Sequence, residues 1–226
     1  MSSDGRVQWK MIYLAKRNPA LAPEAFPQAW REHSALGRQC RNVQDKVLGV
    51  RQCSRVLERA DMPRGASTAY DGVNLLTLRD RQAADDIWND EETLRIMRPD
   101  EPRVFSAYVR DFALTACETV LVDGSETGVC MVLLLRGEAM SASAFEILPG
   151  SPWAAAARVV WNTVAGVRPP GYEYDVIVEA WFTSVEAVAG AFGEILVWTQ
   201  LPTALAEKVD PARSVCMLTR VTHRRP

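Results

Sequence analysis

Apolar runs of strand length alternate with stretches whose apolar positions recur every three or four residues, and this alternation predicts eight strands separated by helices. The strands are expected over residues 8–15, 46–57, 70–78 and 108–122, then 129–135, 158–164, 174–182 and 213–221. Pro23 and Glu24 open a first helix, Phe26, Trp30 and His33 mark one of its faces, Pro27 bends its start and Gly37 stops it. Asp80 caps a second helix, whose Ala83, Ala84, Ile87, Trp88, Leu94 and Met97 continue to Pro99. Later, residues 141–148 allow at most two helical turns before Pro149-Gly150, and a long helix from Ser184 is disturbed at Pro202.

The order strand, helix, strand, strand, helix, strand occurs twice. Tyr70-Asp71-Gly72-Val73 recurs as Tyr174-Asp175-Val176-Ile177, and the opening Met11-Ile12-Tyr13-Leu14 can be laid over Met131-Val132-Leu133-Leu134. The second copy is shorter between its first and third strands by about 16 residues, or four helical turns. Residues 1–124 and 125–226 are therefore expected to be two tandem ferredoxin-like (βαββαβ) repeats, the second truncated, in an α+β protein. Leu75-Leu76, Leu133-Leu134-Leu135 and Val176-Ile177-Val178 are apolar on both faces, so the helix-free face of each sheet needs cover. Packing the two bare faces together as an intramolecular barrel supplies it, with a cavity expected between the sheets.

Composition narrows the function classes. A net charge of −2 with intermixed signs leaves no basic stripe for nucleic acid, and His223-Arg224-Arg225 reads as a solvated terminus. No apolar stretch is long enough to span a membrane, and Met1-Ser2-Ser3-Asp4-Gly5 lacks a signal-peptide pattern, so a cytoplasmic protein is expected. Five cysteines without a Cys-x-x-Cys pair read as buried thiols. Two distant histidines, His33 and His223, give no metal-ligand spacing, and no metal is expected.

Strand alternation sorts the candidates for chemistry. Asp71, Val73, Leu75 and Thr77 share one face, and Asp175, Ile177, Glu179 and Trp181 share its counterpart; both faces are assigned to the cavity, because a mid-strand carboxylate is poorly tolerated under a packed helix. There Glu179 either moves a proton or pairs with an arginine on a neighbouring strand. Arg51 and Arg55 project together from the second strand and either fork a carboxylate or decorate a solvent-facing edge. Tyr13 and Tyr108 either donate to a phenol or carbonyl oxygen or are core rings, and Trp161 with Trp181 forms either an aromatic stacking surface or core. His33, beside Trp30, has acid–base capacity.

Lys10-Met11-Ile12-Tyr13-Leu14-Ala15-Lys16-Arg17-Asn18-Pro19, then Phe26, Trp30-Arg31-Glu32-His33 and Tyr70-Asp71-Gly72-Val73 resemble the EthD domain of the dimeric α+β barrel superfamily. Tyr174 through Phe182 is similar to that family's third strand. The resemblance implies a small cofactor-free barrel acting on an aromatic or polyketide-like molecule. The family's helix histidine usually falls four residues after the tryptophan, where this chain has Ser34; His33 stands one residue earlier, a turn of about 100 degrees. The expected function is a cofactor-independent lyase for decarboxylation or dehydration. His33, Glu179 and Tyr13 are its catalytic candidates, and Arg51, Arg55, Asp71, Trp30, Tyr108, Trp161 and Trp181 its substrate-binding ones. The alternatives are a non-catalytic binding or stress-response module, and a monooxygenase of the same superfamily using no cofactor or a haem. A homodimer is an expected assembly, with no nucleic-acid or membrane partner.

Overall fold

Eight antiparallel strands close into a barrel in which one strand order occurs twice. The computed structural model describes residues 7–57 and 62–225. The strands are β1 (Trp9–Ala15), β2 (Val47–Arg55), β3 (Gly72–Leu78), β4 (Ala113–Val122), β5 (Val129–Leu135), β6 (Arg158–Ala165), β7 (Val176–Phe182) and β8 (Val215–Arg225). Around the barrel they run β4-β1-β3-β2-β8-β5-β7-β6, so the first four and the last four follow the same order. Two seams join the halves, β2 against β8 and β4 against β6. The expected α+β barrel is therefore present, formed within a single chain.

The expected chamber between the sheets is filled. An eight-stranded barrel has an interior just wide enough for side chains to occupy. Ile12, Leu14, Val73, Leu75, Val132, Leu134, Ile177 and Trp181 pack together there, each essentially inaccessible. The inward assignment of Val73, Leu75, Ile177 and Trp181 agrees with this packing. β5 and β7 are buried along their whole length, which accounts for their unbroken apolar sequences.

Outside the barrel the two halves differ. In the first, α1 (Phe26–Leu36) lays Phe26, Ala29, Trp30 and His33 on the sheet, followed by α2 (Arg41–Lys46). The helix expected from Asp80 to Pro99 is broken into short pieces: α3 (Gln82–Asp86), a 3₁₀ turn at Ile87–Asn89, α4 (Glu91–Ile96), and α5 (Glu101–Val104) beyond Pro99. Asp80 and Asp90 each accept a backbone N–H three residues on, Ala83 at 2.8 Å and Thr93 at 2.8 Å, so a second cap interrupts the helix that the first begins.

In the second half the expected turns at 141–148 reduce to a 3₁₀ turn at Ala142–Ala144. α6 (Val185–Phe192) starts from its Ser184 cap and stops at Gly193, where φ reaches +53°; α7 (Thr203–Ala206) follows Pro202. Phe145, Trp153, Trp161 and Phe192 fill the outer face of this sheet, with Trp153 set edge-on to Phe145 at 5.1 Å and to Phe192 at 5.0 Å.

Two strand boundaries need correction. Residues 108–112 are not strand: Val109–Asp111 is a 3₁₀ turn, which leaves Tyr108 exposed. His223-Arg224-Arg225 is not a free terminus: it extends β8, with His223 opposite Gln52 and Arg224 opposite Arg51. Among the described residues no helix is long and apolar enough to cross a membrane.

Candidate functional site

The first half keeps a hollow on the sheet face that, in the second half, is occupied by Phe145, Trp153, Trp161 and Phe192. Alternation along β1, β2 and β3 turns Met11, Tyr13, Val50, Gln52, Asn74 and Leu76 outward, towards the helices. Between this face and the helices lies a cavity of about 80 Å³, lined by those residues with His33, Val43, Ile87, Trp88, Met97, Glu101 and Val109.

Its polar groups form a row. Tyr13 is the register partner of Asn74, and Asn74 of Gln52, so three strands present a phenol and two amides side by side. The Trp30 indole N–H donates to the Tyr13 hydroxyl at 3.2 Å, and the Gln52 amide donates to the Trp30 carbonyl at 3.1 Å. The remaining amide oxygens, Gln52 Oε1 and Asn74 Oδ1, are buried with no hydrogen-bond partner. A buried acceptor without a donor costs about 1–3 kcal/mol, so this pair fits a ligand that donates.

Two ionisable groups flank the row. His33 Nδ1 lies 3.0 Å from an Asp100 oxygen. Burial lowers the His33 pKa below its ordinary 6.5, against the opposing pull of Asp100, so the ring is neutral at pH 7. Asp100 is itself held below the usual carboxylate range, first by Arg103 and then by His33. With Nδ1–H donating to that carboxylate, Nε2 carries the free lone pair. Glu101, the next residue, accepts from the Val109 N–H at 2.8 Å, while burial raises its pKa. Burial also raises the Tyr13 pKa, so its hydroxyl stays protonated and able to donate.

The remaining expected site residues fall elsewhere. Glu179 points into the barrel, where its Oε1 is 2.6 Å from Lys10 Nζ and accepts from Asn162 at 3.0 Å. Its partner is a lysine from the other sheet, which also meets Glu118 at 2.6 Å. Arg51 is held by Glu126 at 2.5 Å. Asp71 takes Arg17 at 2.8 Å and lies 3.9 Å from Arg55. Tyr108 is at the surface, with the Arg98 guanidinium 4.5 Å above its ring. Trp161 and Trp181 lie on opposite faces of the second sheet, in separate apolar clusters, and make no joint stacking surface.

The structure thus brings together Tyr13, Trp30 and His33 and separates them from Glu179, Arg51 and Arg55. Gln52, Asn74 and Glu101 are additional polar residues of the cavity lining, and Asp100 joins them by holding His33. A signal for two of them was present: Gln52 and Asn74 are polar residues at mid-strand in otherwise apolar company, on the face opposite to the one first read for chemistry. Among the described residues no group of three or more His, Cys, Asp or Glu is placed to hold a metal ion.

No protein-family profile matches the chain, and no curated protein matches it. Solved structures do. An anthrone oxidase-like protein superposes with a TM-score of 0.60 at 12% identity, covering 98% of this chain and 93% of its own. A candidate monooxygenase from Fusobacterium nucleatum subsp. nucleatum ATCC 25586 gives 0.57 at 8% identity, covering 98% and 95%. A second candidate monooxygenase, from Lactobacillus acidophilus NCFM, gives 0.52 at 7% identity, covering 96% and 95%. At such identities the likeness is one of fold alone.

Proposed function

We propose that the protein is a cofactor-independent oxygenase: His33 takes a proton from a phenolic aromatic substrate at the helix–sheet cavity, and the resulting anion reacts with dioxygen. The observation that carries this reading is the neutral His33, oriented by Asp100 at 3.0 Å, in one small cavity with Tyr13 and the unpartnered acceptors of Gln52 and Asn74. The amide oxygens accept from a substrate hydroxyl, and the Tyr13 hydroxyl donates to the oxygen on which negative charge develops. Deprotonation of a methylene activated by the phenolic ring gives a carbanion. The carbanion and dioxygen form a hydroperoxide, and loss of water leaves a ketone, so that R₂CH₂ + O₂ gives R₂C=O + H₂O.

Two considerations favour dioxygen over loss of carbon dioxide. A decarboxylase would use a cationic fork at the reacting group, whereas Arg51 and Arg55 lie outside the cavity beside Glu126 and Asp71, and Arg225 is the single arginine among the lining residues. The fold likeness to an anthrone oxidase-like protein and to candidate monooxygenases points the same way. The lyase reading keeps the same base and draws on the EthD resemblance of the first half.

The test is dioxygen consumption by the purified protein with a hydroxylated anthrone. Uptake matched by ketone formation, reduced by roughly 10²–10⁴ in His33→Ala, supports the oxygenase. Carbon dioxide or water release without dioxygen consumption replaces it with the lyase. Ring binding without turnover leaves a binding module.

A further inference from the structure

The cavity shares a wall with an open groove of about 820 Å³. Trp88 lines both spaces, and one chain segment gives Val109 to the cavity and Arg110, Asp111 and Ala113 to the groove. Ala113 is the register partner of Tyr13, so the groove begins one strand away from the cavity's phenol, about 4.8 Å. Thr115 and Ala165 face each other across the β4–β6 seam on the groove floor, and the loop 166–170 of the second half forms the far side, with Val167 fully presented to solvent.

The volumes decide how these spaces relate. A cavity that takes up benzene measures roughly 150 Å³, about twice the space found here, so the cavity encloses only the oxygen-bearing edge of a ring. The rest of any aromatic substrate must lie beyond the wall. Trp88 is the point at which that wall yields. It sits on the three-residue turn Ile87–Asn89, between helices of five and six residues that are far too short to hold themselves. Among the described residues its side chain makes no hydrogen bond and no ring–ring contact, and only apolar packing against the clusters on either side holds it.

We infer that cavity and groove are two parts of one binding site divided by Trp88, and that the substrate is a fused polycyclic phenol. Its oxygen-bearing edge enters the cavity, and the rest of its ring system lies against Trp88 between β4 and the loop 166–170. The body of this substrate is uncharged, because the arginines of the groove are already matched: Arg81 with Asp85 at 3.2 Å, Arg110 with Asp111 at 3.4 Å and Arg168 with Asp175 at 3.1 Å. Both halves of the chain then contribute to recognition, although only the first holds the proposed base. This inference rests on the cavity's being the reacting site.

Thr115→Trp fills the groove without touching Tyr13 or His33. Calorimetric titration of the full-length protein with phenol and with a three-ring hydroxyanthrone provides the test. Wild type should bind the three-ring compound at least about tenfold more tightly than phenol. The variant should bring the three-ring affinity to within about twofold of phenol's, leaving phenol binding unchanged. Val167→Glu, at a solvent-facing position that folding does not need, should also weaken three-ring binding selectively, and quenching of indole fluorescence by the three-ring compound should shrink in Trp88→Phe. Three-ring affinity unchanged in both groove variants overturns the inference while leaving the cavity reading intact. Failure of wild type to bind either ring overturns both.

Discussion

The Trp30 indole N–H donates to the Tyr13 hydroxyl at 3.2 Å, joining helix α1 to the polar row on the sheet. The bond occupies an acceptor site on the phenol and leaves its hydrogen free for a ligand oxygen. Tyr13→Phe should lower turnover by roughly 10–100-fold, the worth of one hydrogen bond to a developing charge, and should also lower the melting temperature by a few degrees, because the buried Trp30 N–H loses its acceptor. Steady-state kinetics beside a thermal melt checks both halves of that statement.

His33 sets the response to acid. Its folded pKa lies below the unfolded 6.5, so the unfolded chain binds the extra proton first. The stability tied to the neutral ring is fully present above pH 6.5 and declines as pH falls below it, towards the folded pKa. Melting temperatures measured between pH 8 and pH 5 should fall less in His33→Gln than in wild type. An equal fall in both proteins would place the acid sensitivity elsewhere, with His223, whose pKa burial also lowers from 6.5, the first alternative.

Glu179 tests whether the barrel interior acts in chemistry or in assembly. Lys10 is the cation that the structure places against both Glu179 and Glu118, and these carboxylates hold it protonated although burial alone would favour the neutral amine. Lys10→Met should destabilise the protein by about 3–5 kcal/mol in urea, because it leaves buried carboxylates facing each other. Glu179→Gln should lower stability while folded molecules keep their turnover. Loss of turnover at unchanged stability would return Glu179 to the catalytic list.

Gly72 controls the seating of Trp30. A Cβ built there would stand 2.6 Å from Trp30 Cζ3 and 2.9 Å from the Cys53 carbonyl oxygen, both closer than atoms approach. The indole cannot simply move aside, since it stacks on Phe26 at 5.0 Å and holds Tyr13. Gly72→Ala should therefore cost about 1–3 kcal/mol and also disturb the site, raising KM as well as lowering the melting point.

The barrel was legible from the strands because their two-sided apolar runs required cover on both faces, and the doubled order of elements named a source for it. The sorting of faces also held for β3 and β7, where Val73 and Ile177 point inward as alternation requires. The position of the hollow was not legible. A pattern of alternate residues says which side chains share a face, but not whether the space above them is filled, and filling depends on ring volumes such as those of Trp153 and Phe145. Asp100 and Glu101 escaped notice for a different reason. The predicted helix ended at Pro99, whereas the chain continues through a 3₁₀ turn at Arg98–Asp100 directly into α5, which brings Asp100 to His33 and Glu101 to the cavity lining.

Both seams of the barrel belong to one polypeptide, with only residues 123–128 between the fourth and fifth strands. In an assembly of two identical subunits every mutation would appear at both symmetry-related positions, and a ring that plugged one hollow would plug the other. Covalent fusion lifts that constraint, and it sets the local concentration of the sibling sheet in roughly the millimolar range whatever the abundance of the protein. One half is thereby free to become a solid buttress while the other stays hollow, and the architecture survives dilution that would dissociate a pair of separate chains.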